Sequence, residues 1–413
     1  MKNRGLMFTI LFLSAICISL SQLKVVPILG DLSATMGISF AETSWLMSVF
    51  TIAGIVLAIP GGALVGKLGP KRLIVVLMIC LVVGNLLGGI STTYPVLLLS
   101  RIIEGVAFAM ITTAGIVLIN MWFPDKNTGL FIGIFTTFAA VASVIAMNTA
   151  LPITMALGLK SVWWIVAAIS AVFTILFALV VKEAAPAGGP AGGMPPVKLS
   201  GVLTNRDVVL LSLCQFCVGF VLYFFMTNYP ALFGVVYGLD PATANFYTSL
   251  NGLWGIPFCV VGGFIVDRLG PKRSPLLIAV SFVGLGLTCL IMTMLSAPTY
   301  ILHTFLAAIF PGLILPAIAF LVPRVVGNPG EIGYGMALVS MLYSLGIFVG
   351  NPIVMYAIEG TGSWSIGSYI LLAVCLIGAI LAVVFISTAK KKLEAQPPMP
   401  GPAPEGDPAA AAN

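Results

Sequence analysis

Three ionisable residues interrupt runs of this chain that are otherwise apolar: Lys24, Arg101 and Glu104. A charge at bilayer depth costs about 2.5–3.5 kcal/mol on insertion scales, so it faces a cavity or a partner. Lys24 lies about 9 Å inside one end of its run at 1.5 Å per residue, and Arg101 is about as deep in its own. Glu104 follows Arg101 by three positions, so the two share a helix face. Together the three carry formal charge +1: two cations that would attract an anion and one carboxyl that could carry a proton. Lys24 either faces a cavity or snorkels to the interface, and Arg101 and Glu104 either face a solute or pack helices. Asn251 and Asn351 are further candidates, with Asn148 at the matching place in the first half and Trp254 as an aromatic wall. Each reads as a substrate contact or as an interhelical hydrogen bond. One histidine, His303, makes no metal site alone, and no nucleotide-binding or hydrolase motif is present. No catalytic residue, metal or cofactor is expected, and the chain does not read as an enzyme.

The elements that must hold these residues follow from composition. Of 413 residues 60% are apolar and 8% charged, with mean hydropathy +1.14. A soluble core has no need of so little charge, so lipid is the solvent for most of the chain. A hydrocarbon core of about 30 Å takes about 20 apolar residues per helix. Twelve such runs stand near 6–29, 44–66, 73–92, 96–121, 129–151, 161–181, 207–233, 244–266, 274–296, 299–322, 332–357 and 366–388. Lipid-exposed backbone must bond to itself, so each run is a helix. Glu42-Thr43-Ser44 reads as the start signal of the second.

The expectation is an all-α integral membrane protein with 12 transmembrane helices in two pseudo-symmetric six-helix bundles. The bundles span 1–183 and 206–389; the Ala/Pro/Gly-rich 184–205 is a flexible linker and 390–413 a disordered tail. Met1–Leu20 has no small-x-small cleavage site after it and reads as an uncleaved first helix. With the N-terminus in the cytoplasm, sixteen of the nineteen Lys and Arg fall on the cytoplasmic side. Both termini are then cytoplasmic, in a multi-pass protein of the cell membrane. The net charge of +6 reflects that bias rather than a nucleic-acid partner. A monomer in the lipid bilayer is expected.

One stretch occurs twice. Gly61-Gly62-Ala63-Leu64-Val65-Gly66-Lys67-Leu68-Gly69-Pro70-Lys71-Arg72 matches Gly262-Gly263-Phe264-Ile265-Val266-Asp267-Arg268-Leu269-Gly270-Pro271-Lys272-Arg273 at eight of twelve positions, 201 residues apart. Each copy is a tight basic turn between two helices, and a chain duplicated in this way places a candidate substrate site where its halves meet. The pattern G-x-x-x-D-[RK]-x-G-x-[RK]-[RK] resembles the loop between helices 2 and 3 of the major facilitator superfamily of secondary transporters, echoed there between helices 8 and 9. The second copy fits through Gly263, Asp267, Arg268, Gly270, Lys272 and Arg273; the first fits through Gly62, Lys67, Gly69, Lys71 and Arg72 but has Gly66 where the acid belongs. The resemblance implies a latch in which that acid bonds a helix end of the other half, a role left here to Asp267. Arg101-x-x-Glu104-Gly105 also resembles the superfamily's helix-4 motif, R-x-x-[QE]-G; helices 1 and 4 line the central cavity of that fold, so the resemblance implies that Lys24, Arg101 and Glu104 form one polar cluster.

The resemblance implies transport of a small-molecule substrate, here a small anion or polar metabolite, coupled to protons, by rocking of the two bundles. Lys24-Val25-Val26-Pro27 with Trp122-Phe123-Pro124 resembles the cyanate-permease and nitrate/nitrite-porter-like branch. Nitrate porters carry an arginine on each of helices 2 and 8, and neither is present, which disfavours nitrate itself. The alternative is a proton-antiport multidrug or metabolite efflux pump. Such exporters carry G-x-x-x-G-P-x-x-G in helix 5, where this chain reads Thr136-Thr137-Phe138-Ala139-Ala140-Val141-Ala142-Ser143.

Overall fold

The computed structural model describes residues 3–123, 128–182, 199–326 and 331–394, and these are helical without a strand. Eleven stretches are long and apolar enough to cross a membrane, and one of them, Pro241–Thr293, is two helices meeting at Gly270, so the spans number twelve. They are α1 (Arg4–Met36), α2 (Phe40–Leu57), α3 (Pro70–Ile90), α4 (Tyr94–Trp122), α5 (Leu130–Leu157), α6 (Ser161–Val180), α7 (Arg206–Tyr237), α8 and α9 (241–269 and 271–290), α10 (Ala297–Val325), α11 (Ile332–Thr361) and α12 (Trp364–Lys390).

The repeated turn owes its glycine to backbone geometry. Gly69 (φ 77°) and Gly270 (φ 66°) both adopt the left-handed region, and each is followed by a proline in the first turn of the next helix. Only glycine takes that φ without a Cβ clash, and proline's fixed φ suits a helix start. Helix Gly61–Leu68 continues α2 up to the first of these turns.

Two boundaries differ from the sequence reading. α1 does not end near 29: Pro27 sits in a 3-10 turn, Val26–Ile28, after which Leu29–Met36 continues the helix to Gly37 at φ 63°. Proline is tolerated at such a turn because its missing N–H would be unpaired there anyway. α2 starts at Phe40 rather than near 44, because Ser39 and Glu42 form a reciprocal capping box that satisfies two N-terminal donors. Of the expected linker, 184–198 lies outside the described residues, and the described remainder holds a short helix, Leu199–Leu203. Its end is followed by Asn205, whose side chain caps α7. Of the expected tail, 395–413 lies outside the described residues, and 390–394 continue the last helix.

Lipid-facing surface is explicit. α3 exposes Val76, Ile79, Val83, Leu86 and Ile90 and buries Leu73, Leu77, Leu81, Gly84, Asn85 and Gly88. Spacings of three and four place each set on one helix face. In lipid an apolar face gains little by packing, so close helix contact rests on small residues and polar bonds.

The halves meet most closely at the end away from the basic turns, here termed the far end. The tip of α2 enters the second bundle: Ala41 and Phe40 pack with Met355 and Ile358. The Glu359 carboxylate of α11 accepts the Ala41 backbone N–H at 2.9 Å, in the first turn of α2. The rings of Trp45 and Phe348 meet at 5.5 Å, and Thr51 Oγ1 donates to the Ser344 carbonyl at 3.3 Å. α5 lies against α8 so closely that a Cβ on Gly252 would stand 2.8 Å from Ser143 Oγ.

Candidate functional site

Lys24, Arg101 and Glu104 come together, all fully buried. Glu104 Oε2 accepts from Arg101 Nη1 at 2.5 Å, from Lys24 Nζ at 3.1 Å and from Ser21 Oγ at 2.7 Å. Arg101 uses its remaining donors on main-chain carbonyls: Ser21 (2.7 Å), Gln22 (2.7 Å) and Leu46 (3.0 Å). Lys24 also donates to Asn85 Oδ1 and to Ser21 Oγ at 3.3 Å. Aromatic faces seal the cations: the Phe50 ring lies 4.6 Å from Arg101 Cζ and the Trp163 ring 5.1 Å from Lys24 Nζ. Glu104 Oε1 is buried without a hydrogen-bond partner.

The local sequence explains how four helices bring these groups so close. α1 ends its first segment at Leu23, and the 3-10 turn that follows turns the Ser21 and Gln22 carbonyls toward α4. On α4 a Cβ at Gly105 would sit 2.0 Å from the Phe50 carbonyl oxygen, and on α3 a Cβ at Gly84 would sit 2.7 Å from Glu104 Cγ. Both glycines are therefore space-makers for the cluster. Asn85 was missed in the sequence reading. Its Nδ2 donates to Ser21 Oγ (3.0 Å) and to the Leu81 carbonyl (2.8 Å), which leaves Oδ1 aimed at Lys24. The signal was present: one carboxamide beside a glycine in an otherwise apolar α3.

Neither placement offered for Lys24 holds. It does not snorkel, because its amine points into the bundle, and it is not among the residues lining a cavity that lies between the halves. That cavity, about 230 Å³, is walled by Thr136 and Thr137 of α5, Tyr223 and Met226 of α7, Asn251 of α8 and Tyr343 of α11, with small and apolar neighbours. No Asp, Glu, Lys, Arg or His is among its lining residues. Thr136 and Thr137 stand where α5 breaks, their hydroxyls donating back to the Gly133 and Ile134 carbonyls at 2.9 and 2.7 Å.

The remaining candidates separate. Asn251 faces the cavity and donates to the Thr304 carbonyl at 3.3 Å. Trp254 packs edge-on against Phe305 at 5.7 Å and is not a cavity wall; Tyr223 and Tyr343 are, and Tyr223 was not singled out from the sequence. Asn351 is buried, donating to Thr227 Oγ1 (3.2 Å) and accepting from Asn228 (3.1 Å). Asn148 is exposed and bonds its own helix at Val144, so the symmetric asparagine pair does not form: the α5 position points outward where the α11 position points inward. In the basic turns Lys67, Arg72, Asp267, Arg268, Lys272 and Arg273 are exposed. Arg268 stacks on Phe264 at 4.2 Å, and Asp267 lies near Arg324 of its own bundle. Near the far end Lys160 donates to Ser91 Oγ at 2.8 Å, and partial burial holds its amine below the usual lysine range.

Comparison with known proteins agrees with this architecture. The family model described as Major Facilitator Superfamily matches residues 8–302 and 211–411. A probable sulfoacetate transporter of Cupriavidus necator is 25% identical over 303 residues, 68% of each chain. A nitrite extrusion protein of Bacillus subtilis is 24% identical over 86% of this chain and 88% of its own, and a hexuronate transporter of the same organism 22% over 84% and 86%. Among solved structures, a bacterial homolog of the human lysosomal transporter Spinster, inward-facing and unoccupied, aligns with a TM-score of 0.72 at 16% identity, over 95% of this chain and 98% of that one.

Proposed function

We propose that this chain, which belongs to the Major Facilitator Superfamily and is a membrane transporter rather than an enzyme, carries a small anion across the cell membrane. The two bundles rock about the cavity between them, opening it to each face in turn. The observation that carries the reading is the buried cluster, in which two basic side chains meet one acid and give a formal charge of +1 at membrane depth. Relatives named for sulfoacetate, nitrite and hexuronate, all anions, support it. Glu104 is the titratable acid of the cluster and the group through which protons would couple. The basic turns face the cytoplasm by the positive-inside rule, and both termini lie there; a cytoplasm-dependent reporter fused to the C-terminus should be active, and a silent one reverses the topology.

The cavity's uncharged wall favours a second reading, efflux of a lipophilic solute. One measurement separates the two. Thermal unfolding of the purified protein is followed with nitrite, a hexuronate or a lipophilic cation, for the wild type and Lys24→Gln. A ligand at a hundred times its dissociation constant adds about 2.7 kcal/mol of apparent stability. Stabilisation of the wild type by an anion, reduced in Lys24→Gln, is expected. Stabilisation of both proteins by the lipophilic cation alone would replace the anion reading with efflux.

A further inference from the structure

Where the halves close at the far end they leave a second cavity, of about 310 Å³. Its walls come from both bundles: Pro27 and Asp31 of α1, Phe40 of α2, Leu151 of α5, Pro230 of α7 and Asn245 of α8. No Lys, Arg or His is among its lining residues. The other acids of this end are engaged. Glu359 accepts the Ala41 N–H, Asp240 caps α8 through the Ala242 and Thr243 N–H groups at 3.1 Å, and Glu42 closes the capping box of α2. Asp31 is exposed and makes no ion pair with any described residue. Asn245 is 2% exposed, and neither its Oδ1 nor its Nδ2 has a hydrogen-bond partner. A buried carboxamide left unbonded is costly, and this one stands on the wall of an open space.

We propose that this far-end cavity is a binding site, separate from the central one, for a primary ammonium carried on an apolar body. Asp31 supplies the opposite charge, Asn245 Oδ1 accepts an ammonium N–H, and Phe40 with the aliphatic wall takes the hydrocarbon. An anion is disfavoured here, because its charge would face Asp31 with no cation in the wall to offset it. A bare hydrocarbon would fill the space but leave the carboxamide unbonded. The ammonium meets both conditions: its N–H groups form charge-assisted bonds, and an aromatic face such as that of Phe40 attracts it further. Because the walls belong to both bundles, an occupant ties the two halves together, so its binding registers as resistance to unfolding.

The test uses a matched pair, 2-phenylethylamine, an ammonium at neutral pH, and 2-phenylethanol, its uncharged counterpart, against the full-length protein. Dissociation constants are taken from ligand-dependent thermal shifts. The amine should bind at least about fivefold more tightly than the alcohol, the upper end of what one exposed charge pair contributes. Asp31→Asn should bring the amine down to the alcohol's affinity. Asn245→Leu should weaken the amine by about ten- to a hundredfold, the size of one hydrogen bond to a charged group. Its unligated melting temperature should hold or rise, since a stranded carboxamide is removed, whereas loss of a structural asparagine would lower it. Equal binding of amine and alcohol overturns the assignment. So does an amine affinity that survives Asp31→Asn, which would place the cation elsewhere, as the efflux reading requires. Full amine affinity in Asn245→Leu overturns the acceptor role of that residue. The anion reading stands or falls separately, because its thermal shifts depend on Lys24 and these on Asp31.

Discussion

Replacing Glu104 with Gln would leave Lys24 and Arg101 as two buried like charges with no carboxylate between them. Glu104 Oε2 lies 3.1 Å from Lys24 Nζ and 2.5 Å from Arg101 Nη1. At an effective dielectric constant of about 20, unit charges at those separations attract by about 5 and about 7 kcal/mol. Desolvation offsets much of this, and removing one partner of a buried pair has a net effect of about 3–5 kcal/mol. Lys24→Gln should be milder, about 1–2 kcal/mol, because it removes a desolvated cation along with the bond and leaves the Arg101–Glu104 pair intact. The double variant Lys24→Gln/Glu104→Gln restores the net +1, with Arg101 still held by the Ser21, Gln22 and Leu46 carbonyls. It should therefore be more stable than Glu104→Gln alone, a coupling opposite in sign to additivity. Thermal unfolding in detergent reads this out. At about 2 °C per kcal/mol, Glu104→Gln should melt about 6–10 °C below the wild type, with the double variant recovering at least half of the loss. Losses that simply add would mean that hydrogen bonding, not charge balance, organises the cluster.

Further predictions follow from the seam and the turns. Glu359→Gln weakens a charged bond to the first turn of α2. Such bonds contribute about 1.5–3 kcal/mol, so far-end opening should rise about ten- to a hundredfold, seen as faster labelling of a cysteine placed at Phe40. If Asp267 latches the basic end when the far end opens, Asp267→Asn should slow that labelling; unchanged rates in both variants would leave neither acid a gate residue. Gly270→Ala places a Cβ at φ 66°, which should lower stability by about 1–2 kcal/mol, whereas Gly263→Ala, at an uncrowded helical position, should have a far smaller effect on the melting temperature.

Much of the architecture was legible because it obeys short-range rules. Twelve apolar runs of spanning length, and a duplicated Gly-Pro-Lys-Arg turn, specify two bundles before any contact is known. The misplaced boundaries have local causes as well. At α2 the start signal was assigned to Glu42-Thr43-Ser44, but Glu42 is the third residue of a helix whose cap is Ser39. At α1 the run was ended near 29, but the chain passes Pro27 in a 3-10 turn and the helix resumes to Met36.

The cluster was legible in composition but not in access. Spacing paired Arg101 with Glu104 and depth matched Lys24 to them, while the superfamily resemblance, which sets helices 1 and 4 side by side at the cavity, joined all three. Whether their charged tips meet solvent depends on groups that depth arithmetic does not see: the Ser21 and Gln22 carbonyls, freed for Arg101 where α1 gives way to its 3-10 turn, and the space left by Gly84 and Gly105. Asn85 completes the seal, and it escaped notice because a lone carboxamide in an apolar helix reads as an interhelical bond of no particular address. The consequence reaches the transport reading itself. A cation that touched the solute would discriminate by contact and tolerate little change in its shape. In the proposed reading, cations held by the Ser21 and Gln22 carbonyls, Asn85 and Glu104 act on a solute only through their field, and contact falls to cavity-lining groups such as Tyr223 and Asn251.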